Sequence, residues 1–255
     1  MFRIGGLGLM EILVILLLLA LLFGGKRLGG LFARAGESAR EVLDKVKWVY
    51  SSLAGSEEEE VRSEEKVGRE MAAKFLEQHA ADGDMTVQQQ VEEAGARLAQ
   101  ASGNPHRTFT FRVVRGETIN AVALPGGNVF VFRPLMDLLR GDDNQLAFVL
   151  AHEMGHVIHR HAAEKFQLGT VLNATRLAGA LRQVIDTGYS REHEREADLK
   201  AVEIMRAAKF DPRGAAMALE RMQTASRHGQ DSGGFLSTHP ETADRIAYIR
   251  EAIAG

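Results

Sequence analysis

The stretch AHEMGHVIHRH, residues 151–161, contains four of the nine histidines of this 255-residue chain. Its apolar residues continue a helical pattern that begins near Asn144, which predicts that the stretch belongs to one helix. His152 and His156 are four residues apart, so their side chains project from one face of that helix, about one turn apart. Two imidazoles in this arrangement can bind one metal ion, and Glu153 lies between them as a candidate base.

The pattern H-E-x-x-H formed by these residues is the zincin signature, in which the metal is zinc. His159 is seven residues beyond His152, and a rise of about 10.5 Å along a helix is too large for both to bind one ion. Neither His159 nor His161 completes a recognised ligand geometry, so we interpret both as structural or surface histidines. A third ligand must therefore come from another part of the chain.

The segment SREHEREADLKAVEIM, residues 190–205, is the candidate source of that ligand. Ser190 is a typical N-cap, and the pattern predicts a helix on which Glu194 and Asp198 share one face. One carboxylate can complete a zinc site of two histidines and a glutamate, and another can orient an imidazole through its second ring nitrogen. Spacing alone leaves four acidic residues open as the ligand: Glu192, Glu194, Glu196 and Asp198.

The composition restricts the class of protein. Cysteine is absent, so disulfides are excluded and any metal must be bound by histidine and carboxylate side chains. The net charge of −3 argues against nucleic acid as a partner, because no basic surplus is present to neutralise phosphates. The chain is long enough for one catalytic domain with an appendage.

Residues 1–24 are predicted to form a transmembrane segment. The run ILVILLLLALLF, residues 12–23, has no polar group, and the apolar stretch from Ile4 is just long enough to cross a bilayer. A cleaved signal peptide is the alternative, but no small-residue cleavage site follows the run. Residues 25–56 are predicted to form a linker and an amphipathic helix, which lies in the membrane interface or docks on the domain formed by residues 57–255.

The first fifth of the chain resembles the N-terminus of TatA-type subunits of the twin-arginine translocase. The resemblance rests on a short span with Glu11 near its start, Phe23-Gly24 at its end and Lys26-Arg27 after it. It implies contact with membrane lipid and a homo-oligomer formed through this segment. The positive charge after the span places the C-terminal side of a single-pass bacterial inner-membrane protein in the cytoplasm, with the periplasm as the alternative.

The middle of the domain predicts a change from helices to strands. Thr86 and Gln89 form a capping-box pattern, which predicts that a helix starts there. Three β-rich segments follow, and a Pro-Gly-Gly turn joins the last two: 108–115, 118–125 and 128–132. They predict a small antiparallel sheet. The expected fold class is α+β: a mostly helical zincin domain of the gluzincin type that encloses this sheet.

Four motifs in this order carry a second resemblance: NAVALPGGNVFVF, LAFVLAHEMGHVIHRH, SREHEREAD and STHPETADRI. They are similar to the HtpX-like and CAAX-prenyl-protease-like zinc metallopeptidases, especially the BepA and Oma types, from about residue 57 to residue 253. The resemblance implies one zinc ion per chain, with Glu194 as the third ligand beside His152 and His156. The multi-span membrane body of the prenyl proteases is missing, which argues against a prenyl-peptide substrate.

The resemblance also implies roles for residues around the metal. Asp198 is expected to orient a ligand, and His239 and Arg245 are expected to stabilise the oxyanion or the substrate. Asn120 and Ala121 are expected to border the cleft on a strand that pairs with an extended polypeptide. Glu153 would take the proton of the attacking water.

The sequence therefore predicts a membrane-anchored zinc metalloendopeptidase that hydrolyses extended, misfolded membrane or envelope proteins. The alternative is a non-enzymatic membrane scaffold or translocase accessory whose zinc domain acts as an adaptor or chaperone. Cleavage of an unfolded protein, with a chelator and Glu153→Gln as controls, distinguishes the two.

Overall fold

The computed structural model describes residues 57–162, 188–229, 234–240 and 243–254. These residues belong to one compact unit that spans Ser51–Gly255. The predicted transmembrane segment, 1–24, and the predicted linker and amphipathic helix, 25–56, lie outside the described residues. Within the described ranges, no helix combines the length and the apolar character needed to cross a membrane.

The described part of the chain is mostly helical with one small sheet, as expected for the α+β class. Two helices and three strands come first: α1 (Glu57–Gln78), α2 (Met85–Ala101), β1 (Thr110–Val114), β2 (Ala121–Leu124) and β3 (Asn128–Phe132). The helices after the sheet are α3 (Arg133–Leu139), α4 (Asp143–Ile158), α5 (Arg191–Ala207), α6 (Arg213–Arg227), α7 (Phe235–Thr238) and α8 (Ala243–Ala254).

The sheet is mixed, and the prediction of an antiparallel sheet was wrong for one of its strands. The strand order is β1-β3-β2. Strands β2 and β3 form the expected antiparallel hairpin, but β1 lies parallel to β3, with Thr110 opposite Asn128. Alternation of apolar residues indicates which face of a strand is buried, and it carries no information on the direction of the neighbouring strand. In this order β2 is an edge strand.

The turn between β2 and β3 requires glycine at both central positions. Gly126 and Gly127 have φ of 77° and 86°, in the left-handed region that favours glycine. A Cβ on Gly127 would lie 2.1 Å from the carbonyl oxygen of Thr108, and one on Gly126 would lie 2.7 Å from the Cα of Glu65. The turn therefore packs closely against α1.

Helix α4, which carries the H-E-x-x-H pattern, lies at the centre of the domain. Asp142 caps it by accepting hydrogen bonds from the backbone N–H groups of Asn144 and Gln145. Every residue from Gln145 to Val157 is buried, because α4 packs against α2, α5, α6 and the sheet. The two metal-binding histidines are therefore carried by a helix that is buried on all sides.

Helix α2 begins slightly earlier than the sequence predicted. Its N-cap is Asp84 and not Thr86, because an Asp84 carboxylate oxygen accepts hydrogen bonds from the backbone N–H groups of Thr86 and Val87. Aspartate and threonine are both favourable N-caps, so the sequence did not rank the two positions.

A buried ion pair joins α1 to the end of α4. The Glu64 carboxylate accepts hydrogen bonds from Arg107 and Arg160, each at 2.6 Å. Arg160 follows α4 with φ of 64°, so the chain turns sharply there. These contacts fix the position of the segment that immediately follows the metal-binding helix.

Candidate metal centre

The side chains of His152 and His156 meet beside α4. Both are fully buried, and their Nε2 atoms lie 3.1 Å apart. Phe235 packs against the ring of His152, and Tyr189 stacks on the ring of His156 with 3.8 Å between the centroids. This packing holds both imidazoles with Nε2 toward the same point.

Glu194 reaches this point from α5. Its Oε1 lies 3.4 Å from His156 Nε2, and its Oε2 lies 3.6 Å from His152 Nε2. Of the acidic residues that spacing left open, the structure brings this one to the two Nε2 atoms.

The close approach of α4 and α5 depends on Gly155. A Cβ at this position would lie 2.9 Å from the Cα of Ala197 on α5, which is shorter than any ordinary contact. Ser190 caps α5, as the sequence predicted, and accepts a hydrogen bond from the backbone N–H of His193. The cap fixes the first turn of α5, which carries Glu194.

His239 is the fourth member of the group. It follows α7, and its Nδ1 lies 3.2 Å from His152 Nε2 and 3.1 Å from Glu194 Oε1. The T-H-P motif is therefore part of the metal centre, and His239 is as deeply buried as the other members.

The four donor atoms fit a zinc ion. One donor atom from each of His152, His156, Glu194 and His239 lies within 4.8 Å of all the others. Donors that share a tetrahedral zinc are separated by about 3.3 Å. The separations given above, measured to either oxygen of Glu194, are 3.1 to 3.6 Å and lie close to this value. Imidazole nitrogen and carboxylate oxygen are also ligands that zinc prefers.

Glu153 is buried next to this group. In the part of the chain that the structure describes, neither of its carboxylate oxygens has a hydrogen-bond donor. Oε1 lies 3.4 Å from His239 Nε2. A buried carboxylate without donors is unfavourable unless a ligand supplies them, so this arrangement is typical of a functional group and not of a structural one.

Asp198 and Arg245 form a buried ion pair behind the histidines. Arg245 donates to both Asp198 carboxylate oxygens at 2.8 Å, and its Nη1 lies 2.8 Å from Glu194 Oε2. The Nη1 group also donates to the carbonyl oxygen of His239. All three guanidinium nitrogens therefore have partners among the described residues.

Asp198 also contacts the metal centre. Its Oδ1 lies 2.9 Å from His152 Nδ1, the ring nitrogen that faces away from the donor group. Tyr248 donates a hydrogen bond to the same carboxylate at 2.6 Å. Asp198 is thus placed to orient the imidazole of His152.

Burial and charge give the two histidines different pKa values. Burial opposes a charge on His152, but the hydrogen bond and charge of Asp198 outweigh it and raise the pKa of His152. Burial lowers the pKa of His156 well below its usual value. The Glu194 carboxyl is also buried, yet the charge of His239 and the hydrogen bond with His156 hold its pKa far below the usual range. His152 is therefore the more basic of the pair.

His161 lies at the metal centre, and its interpretation as a structural or surface histidine was incomplete. Its Nδ1 lies 2.9 Å from His156 Nδ1, and its Nε2 lies 3.0 Å from Glu196 Oε2. Burial lowers the pKa of His161 to about 4. His159, by contrast, is exposed. Helical spacing did not indicate His161 because α4 ends at Ile158 and the chain then turns.

Asn120 and Ala121 are buried where the edge strand β2 begins. The Asn120 side-chain oxygen accepts a hydrogen bond from the backbone N–H of Ala121. The carbonyl oxygen of Ile119 accepts one from the backbone N–H of Phe235, at the start of α7. The edge strand is therefore joined to the segment that carries His239.

Two histidines and a glutamate around one point, with a second glutamate between the histidines in sequence, define the class of metal-dependent peptidases. The model of the family described as "Peptidase family M48" matches residues 86–253, and the chain belongs to this family. The match confirms the resemblance to zinc metallopeptidases of the BepA and Oma types, and zinc is the metal that the site fits.

Several curated proteins that are similar to this chain are named as proteases or endopeptidases. The mitochondrial metalloendopeptidase OMA1 of Schizosaccharomyces pombe is 36% identical over 168 residues, which is 61% of this chain and 50% of that protein. The beta-barrel assembly-enhancing protease of Escherichia coli (strain K12) is 29% identical over 194 residues, 66% of this chain and 39% of that protein. The metalloprotease LoiP of the same strain is 28% identical over 176 residues, 62% of this chain and 68% of that protein. This chain thus spans half or less of the length of the first two relatives.

Proposed function

We propose that this chain is a zinc metalloendopeptidase that hydrolyses peptide bonds in extended polypeptides. The observation that carries the proposal is the convergence of His152, His156 and Glu194 beside a buried Glu153 that has no donor among the described residues. These three residues would hold one zinc ion per chain through two Nε2 atoms and a carboxylate oxygen. Zinc in such a site makes water more acidic and polarises a carbonyl group.

Glu153 is the proposed general base. Its carboxylate takes a proton from the water that attacks the peptide carbonyl, and it later passes the proton to the departing amine. The absence of a hydrogen-bond donor from the described protein leaves both oxygens available for this exchange.

His239 and Arg245 have different proposed roles. A catalytic zinc keeps one coordination position open, so we place His239 outside the zinc ligands during turnover, with its ring beside the oxygen where negative charge develops. Arg245 is a positioning residue, because its guanidinium holds the carboxylates of Glu194 and Asp198 in place.

The proposed substrates are misfolded membrane or envelope proteins. An extended chain can add to the edge strand β2, beside Asn120 and Ala121, through backbone hydrogen bonds that require no particular side chains. This mode suits a protease that accepts many unfolded sequences. The name of one relative, the beta-barrel assembly-enhancing protease, supports a role in the bacterial envelope.

We further propose that residues 1–24 anchor the protein in the bacterial inner membrane as a single span, and that residues 25–56 connect this anchor to the peptidase domain, residues 57–255. The bias of positive charge favours the cytoplasm for that domain, with the periplasm as the alternative. The TatA-like segment would contact lipid and associate with copies of itself.

The variant Glu153→Gln tests the proposed activity. Glutamine has nearly the same shape but does not accept the proton, so cleavage of casein should fall on the order of 10²-fold or more while zinc remains bound. Cleavage assays and elemental analysis of the full chain measure the two properties. Glu192→Gln, at an exposed position of the same helix as Glu194, is the matched control.

Near-normal cleavage by Glu153→Gln would contradict the assignment of the base. Zinc-loaded wild-type protein that cleaves neither casein nor any other unfolded protein would instead favour the non-enzymatic adaptor.

A further inference from the structure

We infer that His161 and Glu196 form a hydrogen-bonded relay that fixes the orientation and tautomer of His156 as a zinc ligand. The relay consists of His156 Nδ1, the His161 ring and the Glu196 carboxylate. The inference rests on the proposed function in one respect, namely that His156 binds zinc through Nε2.

The relay has a single consistent arrangement of protons. The Nδ1 atoms of His156 and His161 face each other at 2.9 Å, so one must donate and the other must accept. With Nε2 of His156 directed at the metal, its Nδ1 carries the proton and donates it to His161. His161 then carries its own proton on Nε2, which donates to Glu196 Oε2 at 3.0 Å.

Packing holds His161 in the position that this chain of bonds requires. Its side chain is only 2% exposed, and its ring stacks on that of His193 with 4.1 Å between the centroids. The preceding residue, Arg160, is bonded to the buried Glu64 at 2.6 Å. The stacking on His193 fixes the ring of His161, and the bond of Arg160 to Glu64 fixes the backbone next to it.

The relay solves a problem of charge. His152 is oriented directly by a carboxylate, Asp198, whose charge is balanced by Arg245. A second carboxylate placed directly against His156 would add another buried anion close to Glu194. The neutral ring of His161 instead transmits the orientation from Glu196, whose side chain is 46% exposed and remains in contact with solvent.

Zinc affinity of the full-length chain in detergent, measured by competition with a chromophoric chelator, tests the relay. His161→Phe keeps a ring of similar size but has no acceptor for His156 Nδ1, so the dissociation constant for zinc should rise about 10- to 100-fold. His161→Asn places an amide oxygen near the former Nδ1 position and should restore most of the affinity.

The outer bond of the relay is tested at Glu196, whose side chain is 46% exposed, so a substitution there should not disturb the core. Glu196→Gln retains an oxygen that accepts from His161 Nε2, and its affinity should stay close to that of the wild type. Glu196→Leu has no acceptor and should bind zinc more weakly than Glu196→Gln. Circular dichroism of the zinc-free protein shows whether His161→Phe folds. If it does not, the difference in zinc affinity between Glu196→Gln and Glu196→Leu still tests the relay.

Two further variants separate the relay from the ligand assignment. His159→Phe changes an exposed neighbouring histidine and should bind zinc like the wild type. His156→Ala should lose zinc, and wild-type affinity in that variant would overturn the proposed function. Loss of zinc by His156→Ala together with unchanged affinity in His161→Phe and Glu196→Leu would overturn the relay alone.

Discussion

At the metal centre, burial and the neighbouring charged groups give His152 and His156 different pKa values. Burial lowers the pKa of His152, and the contact with Asp198 raises it by more, so the net shift is upward. Burial also lowers the pKa of His156, and there the neutral ring of His161 faces Nδ1 in place of a carboxylate. In the metal-free centre, His152 is therefore expected to hold a proton more readily than His156.

This difference predicts the number of protons that zinc displaces. Because zinc needs the lone pair of each imidazole, binding near pH 6 should release about one proton, from His152, and affinity should fall about tenfold per pH unit below that value. Calorimetric titration in buffers of different ionisation enthalpy measures the release. Two protons released from the histidine pair, or equal affinity at pH 7 and pH 5, would contradict this assignment.

The sequence predicted His152, His156 and Glu153 because a regular helix converts a spacing of four residues into a shared face. It did not select Glu194 by spacing, since four acidic residues on α5 met the same criterion, and only the family resemblance distinguished them. It did not indicate the contact of the buried His161 with His156, because this contact depends on the left-handed residue Arg160 after α4, which no periodic pattern reports.

At the scale of elements, the contact between α4 and α5 determines whether the centre can form. Gly155 and Ala197 lie in close contact, and the pair of histidines lies on one helix while Glu194 lies on the other. The distance between the two helices thus sets the distance between the ligands.

Gly155→Ala should therefore separate the two helices. We expect a loss of about 1–3 kcal/mol in the free energy of unfolding of the zinc-free protein, because the added methyl overpacks a tight interface. Zinc binding should weaken as well, since Glu194 moves away from the histidines. Chemical denaturation and chelator competition measure the two effects.

Gly83→Ala is the control for this substitution. A Cβ at that exposed position would meet only the Arg115 guanidinium, at 3.6 Å, so stability should be unchanged. Wild-type stability and zinc affinity in Gly155→Ala would show that the interface accommodates a side chain.

The sheet shows the limit of prediction at this scale. The three strands were expected at nearly their observed positions, and the Pro-Gly-Gly turn specified the antiparallel hairpin. The parallel pairing of β1 with β3 depends on how the chain crosses between β1 and β2, and neither turn residues nor alternation encode that path.

For the whole molecule, the proposed anchor and the peptidase domain should be separable. The full chain is expected in the membrane fraction of expressing cells after a carbonate wash, because residues 4–23 supply the apolar span. A chain that begins at residue 57 should be recovered in the soluble fraction. Recovery of the full chain as a soluble protein would contradict the anchor.

Fusion proteins in the same cells can show on which side of the membrane the peptidase domain lies. A fluorescent protein fused to the C-terminus should be fluorescent and a fused alkaline phosphatase should be inactive, as the positive charge after the span predicts a cytoplasmic domain. An active phosphatase would place the peptidase in the periplasm.

The ion pair of Arg245 with Asp198 joins residues that are 47 positions apart, and the arginine belongs to the last described helix. Arg245 also contacts the carboxylate of Glu194. During translation, Glu194 and Asp198 both leave the ribosome well before Arg245 does. A nascent or prematurely terminated chain that stops before Arg245 would have to bury these anions without a counter-charge, and breaking such a pair costs about 3–5 kcal/mol. We therefore expect the metal centre to form only after α8 has emerged from the ribosome and docked on the domain.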